Sequence, residues 1–248
     1  MTKIITVTNQ KGGVGKTSAV LNMSAQFAFS GRRVLNVDMD PQGQCAIGLG
    51  LPQEPGVFNL LVNNGFDPRQ WIRSSGRKGL DILPGDRTTA TAQIVINAEN
   101  RPLEYIRNLL SQFREYQYIF IDTAPSVGGI QERAIFAADY VLIPTATEFF
   151  STNGLGQVIG TLEQLSKKGW EGKLLGILPT FYDEVSTESK ETMQELKRNF
   201  GEAVLDPIHR TTLLREAPAE GKVAHELDPQ HRATYEYHAL CQHVLKFS

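Results

Sequence analysis

Short apolar runs rich in β-branched residues recur along the chain: Ile4-Ile5-Thr6-Val7, Val34-Leu35-Asn36-Val37, Leu80-Asp81-Ile82-Leu83, Tyr118-Ile119-Phe120-Ile121, Tyr140-Val141-Leu142-Ile143 and Leu174-Leu175-Gly176-Ile177-Leu178. Most are apolar throughout rather than alternating, as expected of strands covered on both faces. Between them the spacing predicts helices over residues 18–30, 102–114, 154–168 and 186–200, the last with Ser186-Thr187-Glu188-Ser189 as a capped start. A further helix is expected over residues 232–246. Strand then helix, repeated, predicts an α/β fold built on a doubly wound, mostly parallel sheet.

Two regions break the rhythm. Residues 50–79 are rich in Pro, Gly and Asn, and residues 206–229 are punctuated by Pro207, Pro218 and Pro229, so both read as short helices and loops. There is no internal repeat and no low-complexity segment. The expectation is one domain spanning residues 1–248.

Composition narrows this picture without redirecting it. A chain of 248 residues with 41% hydrophobic positions can bury a core without a disulfide or metal staple. Its 2 cysteines, Cys45 and Cys241, lie at opposite ends of the sequence, unlike a secreted scaffold or a paired metal site, which favours a reducing cytoplasm. The first apolar run is too short for a leader. No run approaches the roughly 18 apolar residues that span a bilayer. With a net charge of −2, any binding to nucleic acid must come from a local patch.

The chemistry begins after the first run, with Asn9-Gln10-Lys11-Gly12-Gly13-Val14-Gly15-Lys16-Thr17 and then a helix. Strand, Gly-rich turn, Gly-Lys-Thr and helix make the context of a phosphate-binding loop. Glycines let backbone N–H groups turn in around phosphates, and the helix points its positive end at them. Lys16 would neutralise the β and γ oxygens, and the Thr17 hydroxyl would ligate Mg²⁺. Asp122 follows an apolar strand as a Mg²⁺-supporting aspartate does, and a carboxylate there is costly without a cation or donors to meet. Asp38 and Asp40 follow the second strand on the same edge, and spacing alone does not divide roles between them.

The general loop pattern has Gly where Gln10 stands, and this loop carries a second lysine, Lys11. With Val37-Asp38-Met39-Asp40-Pro41-Gln42-Gly43 and Ile121-Asp122-Thr123-Ala124-Pro125-Ser126 in order and spacing, the chain resembles the deviant Walker A ATPases of the ParA and MinD type. The Asp-Pro-Gln-Gly run, Glu216-Ala217-Pro218, Gly221-Lys222 and Asp228-Pro229 resemble the partitioning branch more than MinD.

The resemblance implies a P-loop ATPase that binds ATP and Mg²⁺ and dimerises around ATP. Lys11 would reach the phosphates of the other subunit, and residues Gly12, Gly13, Val14, Gly15, Lys16, Thr17 and Ser18 would cradle its own. Catalysis would rest on Lys11, Lys16 and Asp40, with Asp40 orienting the attacking water; Thr17, Asp38 and Asp122 would support the metal. Pro41-Gln42-Gly43 and Thr123-Ala124-Pro125-Ser126 with Gly128-Gly129 look like nucleotide-sensitive switches. The adenine would sit by Thr180-Phe181 and Ile208-His209-Arg210, although the family usually has Pro where His209 stands. Positioning groups are few and there is no evident arginine finger, so hydrolysis is expected to be slow and partner-stimulated.

Partners implied by the resemblance are a second copy of the chain, non-specific DNA in a nucleoid-associated, cytoplasmic setting, and a ParB-like centromere-binding protein. Arg210, Arg215 and Lys222 are the candidate DNA contacts. Two arginines common in the family are replaced by Val185 and Leu213, and the basic residues of the 186–200 helix are interleaved with Glu188, Glu191 and Glu195. A protein cargo therefore stays open beside DNA, as does a metabolic or reductase component with no DNA binding. The C-terminal apolar residues read as a packed helix rather than a membrane-binding one.

Overall fold

A computed structural model describes residues 2–63, 65–125, 128–147 and 152–247. Seven strands form one sheet in the order β3-β4-β2-β5-β1-β6-β7. In chain order these are β1 (Lys3–Val7), β2 (Val34–Met39), β3 (Arg73–Arg77), β4 (Leu80–Leu83), β5 (Tyr118–Thr123), β6 (Tyr140–Ala146) and β7 (Lys173–Thr180). All neighbours run parallel except β3 and β4, which form an antiparallel pair at one edge. The expected doubly wound, mostly parallel sheet is the one observed.

The helices are α1 (Lys16–Phe29), α2 (Gln44–Gly48), α3 (Gly56–Val62), α4 (Thr88–Ala98), α5 (Tyr105–Leu110), α6 (Gly129–Ala137), α7 (Thr152–Lys167), α8 (Thr187–Phe200), α9 (Leu213–Ala219), α10 (Ala224–Leu227) and α11 (Arg232–Phe247). Both faces of the sheet are covered, which is why its strands read as unbroken apolar runs. Tyr118 and Phe120 join the cluster under α1 and α11, where Phe27 meets Tyr118 edge-on with ring centroids 4.5 Å apart. Ile119 and Ile121 face the other way, against α3, α4, α5 and α6. A third cluster, with Val158, Leu162 and Trp170, covers β6 and β7.

Three expectations need correction. Residues 50–79 contain a strand, β3, beside the expected short helix; its Arg-Ser-Ser-Gly-Arg sequence carries no apolar alternation because it is an edge pairing on one side only. The helix expected over 102–114 is confined to Tyr105–Leu110, because the chain leaves the helix after Leu110 to bury Phe113 and Tyr116 under the sheet. Three helices, α2, α4 and α6, had no counterpart in the apolar pattern; α4 is rich in Thr, Val and Ile, which favour extended structure in isolation. Ser186 caps α8 as expected, its hydroxyl accepting from Ser189 N at 3.3 Å. The last helix packs its Tyr237, Leu240, Cys241 and Val244 into the core.

Strands up to β4 lie on one side of β1 and β6 and β7 on the other. The loop after β1 therefore opens where the connections change direction, the position at which open α/β sheets bind ligands.

Candidate active site

The loop after β1 is pinned at its start by Asn9, whose Nδ2 donates to Pro144 O at 2.7 Å while its Oδ1 accepts from Lys11 N at 3.0 Å. Gly13 (φ 71°) and Gly15 (φ 83°) take left-handed conformations that other residues enter only at a cost, so the turn depends on them. The first helical bond of α1 runs from Ala19 N to Gly15 O. The N–H groups of Lys16, Thr17 and Ser18 are thus left at the positive end of a helix, a ready site for an anion. Thr180 Oγ1 donates to Val14 O at 2.9 Å and braces the loop from β7.

Lys16 is only 6% exposed and its Nζ donates to Lys11 O at 3.0 Å. Burial lowers its pKa, against the opposing pull of Asp122 and Asp40. The backbone holds this lysine inside the loop before any ligand arrives.

Behind the loop, β2 and β5 run in register with Asp38 opposite Asp122. Strand alternation places Asp122 on the same face as Tyr118 and Phe120, toward α1, and the Thr17 hydroxyl donates to its Oδ2 at 2.6 Å. Asp38 Oδ1 accepts from Asp40 N at 3.2 Å and its Oδ2 from Cys45 N at 2.9 Å, so this carboxylate closes the loop that carries Asp40 and starts α2. The Cys45 thiol points back at Asp122 Oδ2, 3.4 Å away. Asp38, Cys45 and Asp122 are all fully buried, with one ligand atom of each within 4.8 Å of the others. Asp122 Oδ1 is buried without a hydrogen-bond partner.

Burial pushes the Asp122 carboxyl up to about 6, against the hydroxyl of Thr17 and the ammonium of Lys16. Asp38 is raised well above the usual carboxylate range by burial and then by the charge of Asp122. Burial, with Asp38 and Asp122 adding to it, also holds the Cys45 thiol high. Two carboxylates this close and this dry form a site short of positive charge, and an oxygen with nothing to bond fits a hard cation at this place.

A cleft of about 360 Å³ collects the pieces: Gly12 to Ser18 on one wall, Asp40, Gln42 and Gln44 on another, with Pro125 and Phe181 closing it. Asp40 sits at its mouth, its Oδ1 accepting from Gln42 N at 2.8 Å. Ser126, expected in a switch, lies outside the described residues. Of the residues expected around the adenine, Phe181 lines this cleft and Thr180 braces it. Ile208 points into the core, and Arg210 lines a neighbouring cleft with Tyr182 and Arg232. The other two candidate DNA contacts do not line that second cleft: Arg215 stands exposed on α9, and Lys222 pairs with Glu220 at 2.9 Å just beyond it. Gln44 and Gly85 carried no expectation from the sequence, and Cys45 only that of an unpaired cysteine. Gly85 packs against the Asp38 carbonyl oxygen too closely for any side chain. Cys45 meets Asp122 only through the fold, 77 positions away in sequence.

Fold and site together define a P-loop nucleotide-binding protein. A sequence profile of the AAA domain family matches residues 2–174. The sporulation initiation inhibitor protein Soj of Bacillus subtilis is 35% identical over 98% of this chain and 98% of its own length. The chromosome partitioning protein ParA of Myxococcus xanthus is 33% identical over 98% of this chain and 88% of its own. The chain belongs to this family of ParA and MinD type ATPases with the deviant Walker A loop.

Among solved structures, apo McdA of Cyanothece superposes with a TM-score of 0.90 at 22% identity, covering 98% of this chain and 100% of that one, which extends the likeness of fold. Cobyrinic acid a,c-diamide synthase of Mycobacterium smegmatis, solved with an ATP analogue and magnesium, gives a TM-score of 0.84 at 26% identity over 99% of this chain and 95% of that one. Among the described residues, no helix is long and apolar enough to cross a membrane.

Proposed function

We propose that this chain is a single-domain, ATP-dependent positioning ATPase that dimerises around ATP, holds non-specific DNA in that state, and lets go after slow, Mg²⁺-dependent hydrolysis stimulated by a ParB-like partner. The observation that carries the ATPase part is the meeting of Lys16, Thr17 and Asp122 behind one glycine-rich loop. DNA partitioning draws its support from the relatives named chromosome partitioning proteins, and a cytoplasmic, nucleoid-associated setting follows from it.

The residues divide the labour as follows. Gly12 to Ser18 present N–H groups to the phosphates, and Lys16 leaves the Lys11 carbonyl to meet them. Thr17, Asp122 and Asp38 hold Mg²⁺, which supplies charge neutralisation on the phosphates when bound. Asp40, half exposed at the mouth of the cleft, orients the attacking water. Lys11, four positions before the capping Gly15, serves the phosphates of the second subunit in the dimer. Phe181 borders the base, while Arg210, Arg215 and Lys222 meet DNA.

A second reading, positioning of a protein cargo, is favoured by Val185, which is 85% exposed where the family often carries a basic side chain. DNA co-sedimentation separates the two. The DNA reading expects retention with ATP, and with ATP on an Asp40→Ala variant, but not with ADP; Lys11→Ala should abolish retention together with dimerisation. A dimer that forms with ATP yet ignores DNA at low salt transfers the function to a protein cargo.

A further inference from the structure

We propose that Asp38, Cys45 and Asp122 form a mixed carboxylate–thiolate site for a borderline-soft divalent cation of the zinc, cobalt or cadmium class, overlapping the place proposed for Mg²⁺.

The cluster carries the marks of a ligand set. One ligand atom from each residue lies within 4.8 Å of the others, and none of the three side chains is exposed. Tetrahedral zinc with Zn–O near 2.0 Å and Zn–S near 2.3 Å places neighbouring ligand atoms about 3.5 Å apart. Cys45 Sγ and Asp122 Oδ2 already stand at 3.4 Å. Independently, Asp122 is fully buried and its Oδ1 has no partner, an unmet acceptor on one of the three ligand residues.

The ordinary alternative is that Cys45 only fills space under α2. In the free protein the Cys45 thiol donates to Asp122 Oδ2, which sets the direction of the sulfur; deprotonated, the same sulfur completes a ligand set with Asp38 and Asp122. A hard cation such as Mg²⁺ gains nothing from sulfur, since it takes oxygen ligands in an octahedral shell. A thiolate selects softer cations. The residues proposed for Mg²⁺ thus acquire, through Cys45, a second preference.

Binding is an exchange without redox change. The metal–sulfur bond replaces the S–H bond, the thiol proton and the proton that burial favours on Asp38 pass to solvent, and the two carboxylates supply the other protein ligands. Two carboxylates and one thiolate against a divalent cation leave one negative charge, which the nearby Lys16 ammonium offsets. Because Asp122 Oδ2 is also the acceptor of the Thr17 hydroxyl, a metal that takes this oxygen releases Thr17. Entry is from the cleft lined by Thr17, Asp40 and Gln44. A softer cation at this place would exclude Mg²⁺ and arrest hydrolysis.

The inference stands apart from the ATPase reading because it can be tested without nucleotide. The full chain, freed of Mg²⁺, is titrated with Co²⁺ and followed by the near-ultraviolet absorption that cobalt shows only with a thiolate ligand. The chain has 2 cysteines, so single variants assign the band. It should appear at one equivalent, survive Cys241→Ala, and vanish in Cys45→Ala with at least a tenfold loss of affinity. If Cys45→Ala fails to fold, zinc X-ray absorption on the unaltered chain decides, with one sulfur among oxygen neighbours expected. Absence of the band in the unaltered chain, its persistence in Cys45→Ala, or a zinc shell of nitrogen and oxygen alone overturns the proposal. A protein that binds cobalt this way but not ATP would instead retire the ATPase reading and leave this one standing.

Discussion

Thr17 and Asp122, 105 positions apart in sequence, share a 2.6 Å hydrogen bond that ties the first turn of α1 to the end of β5. The bond satisfies one oxygen of a fully buried carboxylate and leaves the other with nothing. A charge left dry in this way destabilises the nucleotide-free fold, and the same lack is what a bound cation relieves. Stability of the free protein and capacity for metal are therefore opposed at this residue.

Asp122→Asn exposes that opposition. The substitution keeps an oxygen for Thr17 and removes the buried charge, so the nucleotide-free, metal-free protein should gain about 1–2 kcal/mol and melt roughly 2–8 °C higher. ATP hydrolysis should fall at least about 100-fold, the scale of losing one group aimed at a developing charge. Thermal melts in chelator and a phosphate-release assay check the two halves. A variant that melts lower would mean that the charge is already compensated in the free protein.

Gly85 is the next residue to matter. A Cβ there would land on the Asp38 carbonyl oxygen and close to that of Asp40, both of them backbone that cannot swing aside. Gly85→Ala should cost about 1–3 kcal/mol as overpacking and drag the Asp38–Asp40 segment from its place. Urea unfolding should register the loss, and nucleotide binding should weaken with it. Unchanged stability would show that the end of β2 yields freely.

How much of this was legible in the sequence follows from where each signal resides. Six strands could be read because both of their faces are buried, so most of their residues carry the apolar mark. The edge strand β3 carries none: Arg73 and Arg77 spend their side chains on ion pairs with Glu54 and Glu226. The loop from Gly12 to Thr17 was plain because its chemistry is local, a turn between one strand and one helix. Cys45 and Gly85 were hidden because their neighbours, Asp122 and Asp38, come from other strands. Nothing in their local sequence reports a contact that only the assembled sheet creates. Ile208 shows another limit: its place in the motif suggested the base, and its side chain lies in the core cluster while its carbonyl accepts from Tyr182 N.

Arg77 gives a prediction in pH. Its guanidinium donates twice to Glu226, at 2.8 and 2.6 Å, and also to Gly221 O and Leu49 O, so one side chain links β3 to α10 and the turns beside it. Burial alone would raise the Glu226 carboxyl, but the Arg77 hydrogen bonds and the Val223 N–H outweigh it and hold it below its usual 4.5. A carboxyl depressed in the folded state stabilises above its unfolded value, and that contribution is lost as pH falls through 4.5 and then through the lower folded value. Glu226→Gln should thus be less stable than the unaltered chain by about 1 kcal/mol or less at neutral pH, since solvent screens a partly exposed pair. Denaturant unfolding across the acid limb should show the two curves converging below 4.5. A gap that stays constant with pH would mean that the charge of Glu226 contributes nothing.

Val185 offers the sharpest test of the DNA reading, because an exposed apolar side chain stands where the resemblance led to a basic one. The residue is 85% exposed between β7 and α8, with its N–H held by Asp183 Oδ1 at 2.8 Å, so an arginine can replace it with no change of backbone. It borders the cleft that Arg210 and Arg232 also line, and Arg232 there is already engaged with Glu184. A new cation at this rim meets phosphate only if the surface faces DNA. In that case Val185→Arg adds about one phosphate contact, and the plot of log affinity against log salt steepens by about 0.9. Binding with ATP should tighten several-fold at low salt, while ATP hydrolysis in the absence of DNA is unaltered. An unchanged salt slope would move the DNA face away from this cleft. Equal tightening with ADP would detach DNA binding from the nucleotide, since the arginine would then be reading phosphate on the monomer and not on a surface assembled by the ATP dimer.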